Sequence, residues 1–105
     1  MSQRLECRIS RYQLRAGVLQ VPRRTVSIVF PKGEEKVPVK VYFDDGTNPT
    51  ILTYSPYYYL LYGLKKWHQS RNAEVGDIIV IEPIDSRSSP PVYRLRLEKS
   101  ETAKL

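Results

Sequence analysis

Cysteine and histidine are each used once in this 105-residue chain, and phenylalanine twice. With Cys7 as the sole thiol, no internal disulfide closes and no thiolate metal cluster forms. His68 alone excludes a metal site built on two imidazoles and a catalytic histidine pair within the chain. Glycine and proline, five and eight residues, are too few for a collagen-like or low-complexity class. No segment approaches the roughly 20 apolar residues that span a bilayer, and no apolar run of signal-peptide length stands near Met1. These absences predict an intracellular, cytoplasmic protein with no membrane partner.

Hydrophobic residues make up 41% and charged residues 27%, a balance that suits one compact domain and leaves too little chain for two cores. A single domain over 1–99 with a tail over 100–105 is expected. The net charge of +6 is unevenly placed. Arg4, Arg8, Arg11, Arg15, Arg23 and Arg24 against Glu6 give the first thirty residues +5. A basic face attracts polyanions, because phosphate contacts release counterions, but it carries no sequence preference.

The segment LECRI alternates Leu5, Cys7 and Ile9 against Glu6 and Arg8, the pattern of a half-buried strand. Within it Cys7 is expected to be buried and inert. RYQLRAG follows as a polar arm, and VLQV as a short strand stopped by Pro22. Val26, Val29 and Phe30 predict a helical turn over 23–30 before Pro31. KVPVKVYF points Val37, Val39, Val41 and Phe43 inward, with Pro38 outward at an edge or bulge. DDGTNP turns this strand back into TILTY as a hairpin. Leu64 and Trp67 form the buried side of a short helix, on which His68 is expected to be partly exposed. IIVIE and VYRLRLE supply the last strands. Six or seven short strands and two helical pieces, with no βαβ rhythm, predict a small or partly open barrel with helices at its ends.

No catalytic residue emerges from the motifs. Glu34-Glu35-Lys36 has no acid upstream except Glu6 on the first strand, so a charged turn accounts for it better than a metal-dependent nuclease half-site. Asp44, Asp45 and Asp77 lie in turn sequences, where aspartate bonds to backbone rather than to metal. No nucleophile elbow, Walker loop or dinucleotide fingerprint occurs. A binding module with no cofactor and no metal is the expectation.

Three stretches then align with one pattern. GVLQVPRRTVSIVFP over 17–31 resembles the part of B3-type DNA-binding domains where a strand ends in Val-Pro-Arg-Arg and a helix runs to Phe-Pro. LLYGLKKW resembles the later leucine and Gly-Trp segment, with Leu64 at the Trp position and Trp67 at a Phe position. AEVGDIIVIEP is similar to the Gly-Asp and apolar strand that follows. The resemblance implies a mainly β fold, a seven-stranded open pseudobarrel with two short helices. It implies sequence-specific binding of double-stranded DNA through the major groove, as in plant B3 transcription factors and the recognition domains of B3-like restriction endonucleases. A nuclease domain or subunit is an expected partner, and nucleoid association an expected consequence; oligomeric state is left open.

By position, the resemblance implies a first DNA arm over 10–17 with Arg11, Tyr12, Gln13 and Arg15. Arginine matches guanine and glutamine matches adenine, and each also suits phosphate. Arg23 and Arg24 would meet phosphate. The second arm, over 54–59, holds Tyr54, Ser55, Tyr57, Tyr58 and Tyr59, where family members often carry a basic residue. Two alternatives stay open: a barrel that stacks single-stranded DNA or RNA on exposed tyrosines, and a protein-interaction domain with a tyrosine hot spot.

Overall fold

A computed structural model describes residues 4–22, 30–43, 48–85 and 87–99. Seven strands, β1 (Leu5–Arg8), β2 (Val18–Gln20), β3 (Val37–Phe43), β4 (Thr50–Ser55), β5 (Leu60–Tyr62), β6 (Ile78–Asp85) and β7 (Val92–Glu98), join in one sheet. Their order is β1-β6-β7-β3-β4-β5-β2. Only β3 and β7 run parallel, and every other neighbour pair is antiparallel. The sheet curls into a nearly closed barrel whose edge strands, β1 and β2, are consecutive in sequence.

That order decides where the helices go. Helix α1 (Arg11–Ala16) joins β1 to β2, and α2 (Lys65–Ser70) joins β5 to β6. Because β5 pairs with β2 and β6 with β1, both connections must cross the same open seam. They meet there, α1 packing on α2. Backbone bonds tie the crossing down: Leu64 N–H donates to Gly17 C=O at 2.8 Å, Ile9 N–H to Asp77 C=O at 2.8 Å and Gly76 N–H to Ile9 C=O at 2.9 Å.

The alternating strands behave as their sequences require. Leu5, Cys7 and Ile9, then Val39 and Val41, then Tyr93 and Leu95 face the core, while Glu6, Arg8 and Arg94 face solvent. Burial pushes the Cys7 thiol up to about 12, which keeps it protonated and unreactive. Phe30 lies between two tyrosines, 4.5 Å from the Tyr54 ring and 4.3 Å from the Tyr93 ring, stacked on both. Such offset aromatic pairs add about 0.5–1.5 kcal/mol each beyond burial. Trp67 and Leu64 close the helix side of the core, Trp67 stacking on Phe43 at 4.9 Å.

Two expectations change. Pro38 lies on β3, an interior strand, and not on an edge. The ladder between β3 and β7 begins only at Lys40, so Pro38 is tolerated in a locally one-sided stretch. The expected polar arm after β1 is largely helical. Ser10 Oγ accepts from Gln13 N–H at 3.2 Å, and Gly17, at φ 72°, closes the other end by donating to Gln13 C=O at 2.9 Å. Ser-x-x-Gln followed by a glycine four residues later is a capping signature at both ends. Among the described residues the barrel has two short helices; the helix expected over 23–30 falls mainly outside them, as do the hairpin residues 44–47 and the tail over 100–105.

Candidate nucleic-acid interface

The second expected arm is a tight turn over 56–59, fixed from two sides. Ser55 Oγ accepts from Tyr58 N–H at 3.3 Å. From β2, Gln20 Nε2 donates to the carbonyls of Tyr58 and Tyr59, both at 3.1 Å, and Val21 N–H donates to Tyr59 C=O at 2.9 Å. Tyr59 takes a positive φ of 57°, a conformation a bulky residue holds only when its surroundings impose it. This anchoring leaves Tyr57 63% and Tyr58 59% exposed, with rings 4.8 Å apart and edge to face. The two rings, with Gln20, Val21, Pro22 and Leu60, line an open concavity of about 630 Å³. Large apolar surface held outward on a rigid turn is contact surface, since tyrosine loses little side-chain entropy on binding.

Tyr54 and Ser55 do not belong to that surface. Tyr54 is 0% exposed inside the barrel, because alternation along β4 turns it toward Phe30. Burial, with Tyr59 nearby, raises its phenol well above the usual value. Ser55 is buried and serves the turn. Tyr59 is half-buried against the core, which leaves Tyr57 and Tyr58 as the exposed pair of this arm.

On α1, Arg11, Tyr12 and Arg15 are exposed, but Gln13 is 9% exposed with Oε1 buried. Gln13 therefore faces inward, as the third residue of a six-residue helix whose exposed side carries its neighbours. Lys65 and Lys66 of α2 are exposed, Lys65 beside Gly17 at the end of α1, and neither was among the residues expected at the interface. Their signal lay in the charge of GLKKW, a helix that the chain must carry across the seam. Arg23 and Arg24 lie outside the described residues, directly after Pro22 in sequence.

The two arms are not brought together. Val18 pairs with Tyr62 and Gln20 with Leu60, so α1 stands at one end of β2 and the tyrosine turn at the other. Four residue steps of extended chain from Gly17 to Val21 make that separation roughly 13 Å.

His68 also departs from expectation, being 2% exposed instead of lying on the surface. It sits under the α1 and α2 contact, facing the Val18 backbone, and neither ring nitrogen completes a hydrogen bond. Burial lowers its pKa, opposed in part by Val18. A histidine held neutral in the fold but free to protonate when unfolded makes the unfolded state bind more protons in acid. Stability on this account is complete above about pH 6.5 and falls as pH drops from there toward the lower folded-state value. His68→Gln should flatten that part of a pH series of urea midpoints; an unchanged series would assign the loss to the carboxylates.

No family model matches the sequence, and no curated protein matches it. Solved structures do. The fold is that of a B3-like pseudobarrel, and two complexes carry the likeness. An Arabidopsis FUS3–DNA complex has a TM-score of 0.74 at 14% identity, over 94% of this chain and 100% of that one. The Arabidopsis thaliana transcription factor LEC2–DNA complex has a TM-score of 0.71 at 17% identity, over 94% and 97%. The expectation of a cytoplasmic, nucleoid-associated protein is corrected by these comparisons, which are with two Arabidopsis proteins, one of them a transcription factor.

Proposed function

We propose that this domain binds double-stranded DNA sequence-specifically and does no chemistry of its own. The observation that carries the reading is the placement of two exposed features, Arg11 with Tyr12 on α1 and Tyr57 with Tyr58 on the turn, at opposite ends of one edge strand. The strand that spaces them runs roughly 13 Å from Gly17 to Val21, of the order of the major-groove width of about 12 Å. The basic first third of the chain supports a polyanionic partner, and the DNA complexes of similar fold support duplex DNA as that partner. Arg11, exposed on α1, carries the forked guanidinium that suits guanine, and the exposed rings of Tyr57 and Tyr58 suit sugars or thymine methyls. Arg23 and Arg24 would add phosphate contacts. The narrower role of recognition part for a restriction endonuclease draws no support from these complexes, one of which is of a transcription factor.

Selection from a random duplex pool, followed by salt titration of the winner, tests the reading. One short motif should emerge, with log affinity falling against log salt at a slope of about −4 or steeper. Arg11→Ala should weaken the selected duplex by about tenfold or more, and Lys104→Ala should do much less. Equal affinity for all duplexes would sink specificity. Tighter binding to an unpaired oligonucleotide, or a protein partner retained at high salt without nucleic acid, would favour the other two readings.

A further inference from the structure

The seam crossing leaves a second concavity that the two arms do not account for. Leu14 and Arg15 from α1, Lys65, His68 and Gln69 from α2, and Asn72 and Ala73 after it line an open concavity of about 530 Å³. Its chemistry is one-sided, for no carboxylate lines it, and neither Arg15 nor Lys65 is ion-paired among the described residues. Beyond Asn72 in sequence, Glu74 and Asp77 share the single charge of Lys99, at 3.1 and 2.6 Å. In the wall lies His68, nine-tenths buried or more, facing the Val18 backbone with neither ring nitrogen completing a hydrogen bond of good geometry. A buried polar group without a partner is costly, and beside two free cations it marks a place where an anion completes the site.

Lys65 is also positioned with unusual care. Its Cβ and backbone lie so near Gly17 that a Cβ there would come within 2.6 Å of the Lys65 Cβ. The root of the lysine side chain is thereby fixed against the end of α1, one residue past Ala16.

We propose that the cleft between α1 and α2 seats one backbone phosphate of the bound duplex, held between Arg15 and Lys65 over His68. The assignment rests on the duplex-binding reading above and gives α2 a place in the interface. A single phosphodiester carries one charge, and it is seated in the cleft only while both cations are present, so loss of either or of both removes the same one contact from the salt dependence.

The test uses the duplex selected with the full chain. Lys65→Gln and Arg15→Gln should each weaken binding about fivefold to tenfold, and each should make the salt slope shallower by about 0.9, the value for one phosphate. The double variant should change the slope by about 0.9 as well, not by twice that, because the phosphate is shared. A scan of duplexes with one neutral methylphosphonate should find a position at which Lys65→Gln has no further effect. The ring signals of His68, the only histidine in the chain, should shift on saturation with the duplex in the native protein. Lys65→Gln with native affinity and slope, while Arg11→Ala still weakens binding, would overturn the cleft assignment and leave duplex binding standing. A native chain that binds no duplex at all would overturn both.

Discussion

Gly17→Ala is expected to lower the unfolding free energy by about 3 kcal/mol, from two separable causes. Gly17 has a φ of 72°, where an L side chain costs about 1 kcal/mol or more. The added Cβ would also lie 2.6 Å from Lys65 Cβ, 2.9 Å from its backbone N and 3.0 Å from its Cα. Two of those three atoms are backbone, so α2 itself must move, and the bond from Leu64 N–H to Gly17 C=O stretches with it. Gly33→Ala is the control, since Gly33 has a φ of 136° and nothing within 4 Å of the new Cβ. It should cost only about 1 kcal/mol. Urea midpoints of the two variants, read at constant m value, measure the difference, and equal losses would show that the helix contact contributes nothing.

Replacing Tyr57 and Tyr58 together by alanine should weaken the selected duplex by about 30-fold to 150-fold, as two exposed aromatic contacts at about 1–1.5 kcal/mol each predict. The salt slope should stay unchanged, because neither residue carries charge. That signature separates the turn from α1, where loss of an arginine that holds phosphate makes the slope shallower. Stability should change by no more than about 0.5 kcal/mol, the usual range for surface positions, since Ser55, Gln20 and Val21 hold the turn through backbone atoms. A double variant that binds DNA normally would remove the turn from the interface, and one that unfolds would make the tyrosines structural.

Much of the barrel was legible because strands with one buried face must alternate. LECRI, KVPVKVYF and VYRLRLE gave their inward residues correctly, and Leu64 with Trp67 gave the packed face of α2. Failures came where a residue's role depends on what lies across from it. Gln13 reads as a base-contacting side chain until Ser10 and Gly17 close a helix around it. Tyr54 reads as the start of an aromatic arm, but two residues of alternation before the turn place it against Phe30. His68 on a short polar helix reads as exposed, and is covered only because α1 crosses the same seam.

The amino-acid pattern by itself determined the strands, their inward faces, the basic first third and the breaks at Gly17, Pro22 and Gly63, since period, charge and backbone freedom are local properties. The tertiary structure decided which residues share a surface. Only the strand order makes β1 and β2 the two edges and so forces α1 and α2 across one gap, and only the antiparallel pairing of β2 with β5 sets the tyrosine turn and α1 at opposite ends of a single strand. Those are relations between segments from about forty to more than seventy residues apart, and no local window of sequence contains both partners.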